Sequence, residues 1–333
     1  MSEAVYNAAG LGLPIVMTIG NRAIGAPINI WNDHSDSMAL RDAGWIQLYA
    51  ETNQEAADLH IQAFKLAEAL SCPVMVCVDG FILTHAVERI DVPAQADVDA
   101  YLPPFEPVQI LDVDDPVSIG AMVGPEAFFE VRYLQHHKQE RALEMIPALA
   151  AEFEARFGRV AGGLVRTYRT EDAETIAVVL GSLNGTVKDV VDAMREKGDR
   201  IGVLTLCSFR PFPLAAVRAA LANAKRVVVL EKSLAVGLGG MVSDGVRKAL
   251  SGIVLAGHTV ICGLGGRAIT RASLTNLFER AQRNELGVLE FLDLNRAVVD
   301  RELARLAQAR RAGPTAEAIL RGLASAAAGA RSA

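Results

Sequence analysis

The sequence is poor in the features that mark several large classes of protein. Only four of its 333 residues are cysteine, and no two of them form a CxxC pair. Because iron–sulfur clusters are held by grouped thiolates, this spacing argues against a cluster on the chain. Isolated thiols in apolar sequence are usually core residues, and they are typical of a reducing compartment. The sequence therefore predicts a cytoplasmic protein with buried, unpaired cysteines.

Long hydrophobic runs and an excess of positive charge are also missing. No apolar stretch approaches the roughly 20 residues that cross a bilayer, and the first ten residues carry no cationic leader. The formal net charge is −6 and the pI is about 5.6, so the basic face of a nucleic-acid-binding protein is not expected. We predict neither a membrane protein nor a nucleic-acid-binding protein.

Three common catalytic motifs are absent as well. The chain contains no G-x-S-x-G, no Walker A sequence and no H-E-x-x-H. The hydrolase, NTPase and zinc-protease hypotheses therefore lose their usual support. What the chain does have is 51% hydrophobic and 22% charged residues, which predicts a packed core, and a length that suits about two domains.

Apolar runs alternate with amphipathic segments in two parts of the chain. In the first part, helical spacing over 53–70 lies between apolar runs that read as buried strands. The second part, from about residue 174, repeats this alternation. Strand–helix–strand order predicts parallel sheets, so we expect an α/β protein with two parallel-sheet domains. The predicted strands are 13–19, 45–49, 72–78, 175–180, 201–206, 226–230 and 259–262.

Three other segments have a different character. Five prolines fall between residues 95 and 130, which predicts a long irregular connector over the surface. A helix is predicted to follow over 135–157, with Pro147 as a candidate for a kink. The Ala- and Arg-rich stretch 297–333 predicts one terminal helix.

The richest candidate site is the segment 21–36, which follows the first predicted strand. Ligands of open α/β sheets bind at the carboxyl ends of strands, so the segment is correctly placed for a site. The planar guanidinium of Arg22 can hold a carboxylate with two hydrogen bonds. The groups of this segment that can bind or position a ligand are Arg22, Asn29, Asn32, Asp33, His34 and Asp36.

Structural roles compete with binding roles in the same segment. Asp33 can close an Asx turn, and Ser35 or Asp36 can cap the helix that follows. For His34, a structural or interface role is favoured over catalysis, because a neutral imidazole often only satisfies a loop carbonyl. A metal site made of Asp33, His34 and Asp36 is less favoured still, since ligands so close in sequence suit few geometries.

Three further segments give weaker signals. Residues 79–85, DGFILTH, also follow a strand, and a structural strand end explains them at least as well as a site does. The glycine pairs in 237–240 and 263–267 can approach a phosphate at a helix amino end, but neither completes a G-x-G-x-x-G sequence. Tight helix–sheet packing is the favoured reason for these glycines.

Several of these segments together resemble a known family. The chain is similar, over residues 1–290, to the α subunit of pyruvate:ferredoxin oxidoreductase and other 2-oxoacid:acceptor oxidoreductases. The resemblance implies a partial pyrimidine-side thiamine-diphosphate-binding domain with its connector in 1–160. It implies a transketolase C-terminal-like domain in 170–290, and leaves 291–333 as a helical tail. The runs that carry it are NRAIGAPINIWNDHSD, DGFILTHAVERIDVP, YLPPFEP, RYLQHHKQERALEMI, GVLTLCSFRPFP, VVVLEKS and GLGGR.

The resemblance also implies an activity. It is the oxidative decarboxylation of a 2-oxo acid, pyruvate by default, to acyl-CoA and CO2, with coenzyme A as co-substrate and ferredoxin or another protein as electron acceptor. Thiamine diphosphate would be shared with a β subunit, and Mg2+ and the iron–sulfur clusters would lie on the β and ferredoxin-like γ subunits. The chain would then be active only in complex.

Residue roles follow from the same resemblance. Arg22 matches the family arginine that grips the substrate carboxylate. Asn29, Asn32, Asp33 and His34 are candidates for the site or for an interface. The resemblance assigns no catalytic residue and no metal ligand to this chain.

One departure from the family pattern keeps other hypotheses open. The Y-P-I-T-P-type motif and the glutamate that engages the aminopyrimidine of the cofactor are not in the sequence. We therefore expect that the first half of the domain lies elsewhere and that a sheet edge is exposed. The alternatives are a non-catalytic assembly or interaction subunit, a family member that acts on an aromatic or branched 2-oxo acid, and, more weakly, a transketolase-like enzyme.

Overall fold

The computed structural model describes residues 2–25, 27–118, 120–308 and 313–331. Within these ranges the strands are β1 (Val16–Asn21), β2 (Ile46–Tyr49), β3 (Val74–Asp79), β4 (Val165–Tyr168), β5 (Thr175–Val179), β6 (Ile201–Leu206), β7 (Ser208–Arg210), β8 (Arg226–Glu231), β9 (Ala256–Ile261) and β10 (Leu289–Phe291). The α-helices are α1 (Ser2–Gly10), α2 (Ser35–Ala39), α3 (Asn53–Leu70), α4 (Gln95–Tyr101), α5 (Phe128–Phe157), α6 (Leu183–Arg195), α7 (Leu214–Ala220), α8 (Val242–Ala249), α9 (Arg271–Gln282), α10 (Arg296–Gln308) and α11 (Thr315–Arg331).

These strands form two sheets. The first has the order β1-β3-β2-β7, and the second has the order β10-β9-β8-β5-β6-β4. All neighbouring pairs are parallel except β2–β7 and β4–β6, in which an antiparallel strand closes one edge. The predicted α/β class with two mainly parallel sheets is confirmed. The antiparallel edge strands were not predicted, because three or four residues are too few to show a period.

Burial explains why the central strands read as apolar runs. Every residue of β3, β5 and β6 is buried, as expected for parallel strands that are covered on both faces. One apolar core joins the two sheets, with Tyr49 and Met75 from the first and Ile176 and Leu204 from the second. The loops at the carboxyl ends of both sets of strands are therefore held in a fixed relation.

Strand β7 lies in the second predicted domain by sequence, but it belongs to the first sheet. Its residues follow directly after β6 of the second sheet, yet they pair with β2 of the first. The backbone N–H of Tyr49 also donates to the carbonyl of Cys207 at 2.8 Å. The first sheet is thus completed by a segment that lies more than 120 residues beyond β3 in sequence.

The prediction of an irregular connector over 95–130 is wrong at both of its ends. Helix α4 occupies its start, because Tyr101 is buried against Phe153 and Phe157 and donates to the carbonyl of Leu149 at 3.0 Å. Helix α5 begins at Phe128 and continues through Pro147 to Phe157, so it is longer than predicted. Between the two helices, the described residues form no regular element.

The terminal stretch also differs from the prediction of one helix. It contains two, α10 and α11, and Pro314 lies directly before the second. Proline is tolerated at the start of a helix, because an N–H there would have no partner within the helix. In a helix interior it removes a backbone hydrogen bond, so α10 does not continue through Pro314. Residues 309–312 between them lie outside the described part. In the described part of the chain, no helix is long and apolar enough to cross a membrane.

Candidate functional site

The two polar segments predicted at strand ends lie side by side. Strands β1 and β3 are neighbours in register, so that Asn21 is paired with Asp79. The backbone N–H of Gly80 donates to the carbonyl of Asn21 at 2.9 Å, and a side chain at Gly80 would collide with that carbonyl. The close approach therefore requires glycine. It brings residues 21–36 and 79–85 to one edge of the first sheet.

Arg22 is the first residue after β1, and its guanidinium is largely unengaged. Its backbone N–H donates to Asp36 Oδ2 at 3.2 Å, and its Nε lies 3.8 Å from the same oxygen. The side chain is 57% exposed. Burial raises the pKa of Asp36, and the hydrogen bond and charge of Arg22 oppose that rise. Asp36 thus fixes the backbone of Arg22 while the fork of the side chain faces solvent and can take an anion.

The two segments at this edge of the sheet also expose large hydrophobic side chains. We define the Arg22 surface as Arg22 together with the exposed large hydrophobic residues of the same two segments. The rings of Trp31 and Phe81 lie 6.3 Å apart. Exposed apolar patches mark binding or interaction sites, and an ion pair inside one is strengthened once water is excluded. The hydrophobic members are Ile24, Ile28, Ile30, Trp31, Phe81 and Ile82.

A buried ionic cluster lies beneath this surface. The carboxylate of Asp79 accepts hydrogen bonds from His34 Nε2 at 2.7 Å, Lys232 Nζ at 2.9 Å and Ser182 N at 3.0 Å, and from the Ser182 hydroxyl. Asp79, His34 and Lys232 are each at least 96% buried. Burial alone would raise the pKa of Asp79, but the charges of His34 and Lys232 and the hydrogen bonds from His34 and Ser182 hold it well below its usual range. The cluster is shielded from solvent, so it offers no accessible acid or base.

Sequence reasoning missed Ser182 and Lys232. Lys232 directly follows the buried strand β8, and Ser182 is the third residue after the buried strand β5, so both lie at carboxyl ends of strands. The rule that singled out residues 21–36 could have singled them out as well. What the sequence could not show is their common partner, since Asp79 lies 103 residues from Ser182 and 153 from Lys232.

The other predicted residues connect the 21–36 segment to the glycine loop 263–267 of the second sheet. Asn29 Nδ2 donates to the Gly265 carbonyl at 3.2 Å, and the Gly265 N–H donates to Asp33 Oδ2 at 3.1 Å. The carbonyl of Asn32 accepts from the Gly266 N–H at 2.8 Å. A side chain at Gly266, where φ is +83°, would collide with Trp31. The glycines thus permit loop-to-loop contact, rather than the helix–sheet packing that was predicted.

The start of α2 follows one of the local predictions and departs from another. Asp33 Oδ1 accepts the N–H of Ser35 at 2.9 Å, which is the predicted Asx turn. Neither Ser35 nor Asp36 caps the helix, and no side-chain cap is present. Asp36 is instead bound to the Arg22 backbone. Asn32 donates from Nδ2 to the Asn21 carbonyl at 3.3 Å, which closes the inner side of the segment.

The other glycine pair leaves no room for a phosphate at the start of α8. The buried carboxylate of Glu231 accepts the backbone N–H groups of Met241, Val242 and Ser243 at 2.6–3.0 Å. A side chain at Gly240 would collide with this carboxylate. The donors that a phosphate would use are therefore already engaged, and the phosphate alternative for 237–240 is wrong.

The four cysteines are free and buried. Burial raises the pKa of the Cys72 thiol to about 11, and of the Cys77, Cys207 and Cys262 thiols to about 12. Among the residues the structure describes, no group of three or more His, Cys, Asp or Glu is arranged to hold a metal ion. The metal hypothesis for Asp33, His34 and Asp36 accordingly finds no support in the geometry.

We expect all four thiols of the native protein to resist alkylation. The thiolate is the reactive form, and at pH 8 these raised pKa values leave almost none of it. Iodoacetamide labelling followed by mass spectrometry should find four unmodified cysteines in the native protein and four modified ones after denaturation. Rapid labelling of any one of them in the native protein would show that this thiol is accessible and contradict the buried assignment.

Residues 1–150 match the family model for pyruvate flavodoxin/ferredoxin oxidoreductase, thiamine diphosphate-binding. Residues 173–274 match the model for pyruvate:ferredoxin oxidoreductase core domain II. These two matches include both polar segments of the first sheet and the loops after β5, β8 and β9.

Curated relatives agree with the family models. The chain is 45% identical to the pyruvate synthase subunit PorA of Methanosarcina barkeri, over 85% of this chain and 72% of that one. It is 37% identical to the ketoisovalerate oxidoreductase subunit VorA of Pyrococcus horikoshii, over 81% of this chain and 69% of that one.

A solved structure has a similar fold. It is the 2-oxoglutarate:ferredoxin oxidoreductase from Magnetococcus marinus, matched with a TM-score of 0.61 at 17% identity. The match covers 84% of this chain and spans half the length of that one. Given the family models and the curated relatives, the chain belongs to the family of pyruvate:ferredoxin oxidoreductase α subunits.

Proposed function

We propose that this chain is the α subunit of a thiamine-diphosphate-dependent 2-oxoacid:acceptor oxidoreductase in the cytoplasm. The reaction is oxidative decarboxylation of a 2-oxo acid, pyruvate by default, to acyl-CoA and CO2, and ferredoxin or another protein accepts the electrons. The observation that carries the proposal is the unengaged guanidinium of Arg22. It stands at the carboxyl edge of β1, in a part of the chain that matches a thiamine diphosphate-binding family. The four unpaired thiols suit the compartment.

Arg22 has a role that matches this chemistry. Its fork binds the substrate carboxylate with two hydrogen bonds and so orients the bond between the carboxyl and oxo carbons. Once that bond breaks, the carboxylate becomes neutral CO2. The guanidinium no longer attracts it, and the product can leave. No other arginine lies on the segments 21–36 and 79–85.

The residues of this chain fit only part of a cofactor site. Thiamine diphosphate, when bound, supplies the electron sink for decarboxylation. The Arg22 surface offers a charged group for the substrate and apolar side chains, Trp31 and Phe81 among them, that exclude water. The donors at the start of α8 are engaged by Glu231. We therefore assign the diphosphate and its Mg2+ to a β subunit.

Partner chains follow from the same reasoning. The four thiols are buried and scattered, so we assign the iron–sulfur clusters to the β subunit and to a ferredoxin-like γ subunit. The exposed apolar side chains of the Arg22 surface are the face that a β subunit would cover. In this proposal the chain acts only in complex, with coenzyme A as co-substrate. Its parts are 1–160, 170–290 and the tail 291–333.

A branched 2-oxo acid is the second candidate substrate, because the ketoisovalerate oxidoreductase subunit shares 37% of its aligned residues with this chain. Arg22 would bind the carboxylate of either substrate in the same way. The discrimination would fall on the apolar side chains around the 2-oxo group, to which partner chains contribute.

The test is to assay the complex with a panel of substrates. The chain would be co-expressed with its neighbouring genes, in its present form and in a form extended upstream. Reduction of a viologen dye would be measured with pyruvate, ketoisovalerate or phenylglyoxylate, in the presence of thiamine diphosphate and coenzyme A. We expect 2-oxo-acid-dependent reduction, fastest with pyruvate. A stable complex that reduces the dye with none of these acids would favour the non-catalytic assembly subunit instead.

A further inference from the structure

We propose that Asp79 and Lys232 are positioning residues for substrate binding: the second sheet holds Arg22 in place through this buried pair and thereby sets the affinity for the 2-oxo acid. The proposal rests on the function proposed above. It assigns a role in substrate binding to the second sheet, although neither side chain can touch the substrate.

The pair connects the two sheets at one buried point. Asp79 is the last residue of β3 in the first sheet, and Lys232 is the first residue after β8 in the second. Their side chains are 1% and 4% exposed, and Lys232 Nζ lies 2.9 Å from Asp79 Oδ2. A buried ion pair tolerates little displacement, because each charge has lost its water and depends on its partner. The relative position of these two strand ends is therefore fixed.

His34 transmits this fixed position to the segment that carries Arg22. Its ring Nε2 is bound to Asp79 at 2.7 Å, and its backbone N–H donates to the carbonyl of Lys232 at 2.7 Å. His34 is thus held at both its side chain and its backbone by the two members of the pair. It is fully buried, and it immediately precedes α2.

The short helix α2 carries the restraint to Arg22. Asp36, in its first turn, accepts the Arg22 backbone N–H at 3.2 Å. The Arg22 side chain makes no hydrogen bond in the described residues, so this backbone contact and the strand β1 set the position from which its guanidinium projects. Among its described residues, the loop between Arg22 and His34 also makes cross-sheet contacts with Gly265 and Gly266. Loosening His34 should therefore let the whole segment move.

Other ion pairs join the two sheets without touching this segment, and they provide a matched control. Lys188 of α6 binds Glu51, the second residue after β2, with Nζ 2.6 Å from Oε1. Like Lys232, it is a lysine of the second sheet's layer bound to a carboxylate of the first. It contacts no residue of 21–36 in the described structure. Lys188→Met should therefore weaken the contact between the sheets without moving Arg22.

The test variant is Asp79→Asn combined with Lys232→Met, which removes both charges and leaves neither buried alone. In the assembled complex, we expect KM for the 2-oxo acid to rise about tenfold with kcat within about twofold. Hydrogen exchange of the peptide over residues 22–34 should become faster, because the segment is no longer held. Lys188→Met should change neither KM nor this exchange.

A double-mutant cycle with Arg22 separates positioning from a general loss of structure. If the pair acts through Arg22, removing the pair in an Arg22→Ala background should leave KM unchanged. An effect of the same size in both backgrounds would overturn the proposal, and so would an assembled pair variant with unchanged KM and unchanged exchange. Should the pair variant fail to assemble, Ser182→Ala replaces it, since it removes one hydrogen bond to Asp79 and keeps every charge. It should shift KM and exchange in the same direction by a smaller factor, and no shift would again overturn the proposal.

The exchange measurement keeps this proposal distinct from the proposed function. If the wild-type complex is inactive with every 2-oxo acid, the proposed function fails. Slow exchange of residues 22–34 that becomes fast in the pair variant would then still establish the restraint, but not its role in binding, and the assignment to substrate affinity would fall with the function.

Discussion

Replacing Arg22 by alanine is expected to raise KM for the 2-oxo acid about a hundredfold, with little change in kcat and in assembly. Hydrogen bonds to charged groups contribute about 1.5–3 kcal/mol each, and 1.4 kcal/mol corresponds to a factor of ten. The lost binding free energy should appear in KM, because the substrate carboxylate loses its charge as the carbon–carbon bond breaks. Arg22 therefore stabilises the bound substrate at least as well as the transition state.

Two further variants define the role of Arg22. Arg22→Lys keeps the charge but loses the planar fork, so we expect a KM between those of the wild type and Arg22→Ala. Arg141→Ala is the matched control, because that arginine is exposed to the same extent, 56% against 57%, and lies on α5 beside Glu144. Steady-state viologen reduction would measure all three. Unchanged KM in Arg22→Ala would remove Arg22 from the substrate site without affecting the family assignment.

Lys232→Met alone is expected to lower the free energy of unfolding of the chain by about 3–5 kcal/mol, because Asp79 is left buried without its ammonium partner. Urea-dependent pulse proteolysis of the chain within the complex would measure the change. In Lys188→Met the broken pair is nearer the surface, so the free energy of unfolding should fall by only about 0.2–1 kcal/mol. Equal costs for the two variants would show that the Asp79–Lys232 pair is no more strongly coupled than a surface pair.

The contribution of Asp79 should also depend on pH in a defined direction. The charges of His34 and Lys232 and the hydrogen bonds from His34 and Ser182 outweigh burial and hold the pKa of Asp79 well below its usual range in the folded state. In the unfolded chain the pKa of the same carboxyl is about 3.9. As pH falls below about 4 the unfolded state takes up the proton first, so the stabilising contribution is complete above that pH and is lost progressively below it.

The measurement that checks this is the difference in unfolding free energy between wild type and Asp79→Asn across the pH range. We expect that difference not to shrink as the pH falls from about 8 to about 5, and to shrink only at lower pH. Asp172→Asn, at an exposed carboxyl paired with Arg195, is the control and should show a small difference throughout. A difference for Asp79 that already shrinks between pH 7 and pH 5 would mean that its pKa is not depressed.

Much of the fold was determined by local pattern in the sequence. Helix α3 has the predicted bounds, 53–70, because its apolar stripe and the Thr52 cap are both local. Strand β6 also has the predicted bounds, 201–206, since a fully buried parallel strand reads as an unbroken apolar run. The sequence likewise singled out Arg22, through a position after a strand and a resemblance to family motifs, and the structure leaves its guanidinium free to bind an anion.

The short edge strands, helix α4 and the buried ion pair were decided only by the tertiary structure. Strands β4 and β7 are too short to show a period, and they exist because a neighbouring strand offers its edge. Helix α4 forms where Tyr101 packs against Phe153 of α5 and donates a hydrogen bond to the carbonyl of Leu149. The pairing of Asp79 with Lys232 depends on how two sheets pack through a common core. Local pattern specifies which side chains turn inward, but distant loops meet only where packing brings their strand ends together.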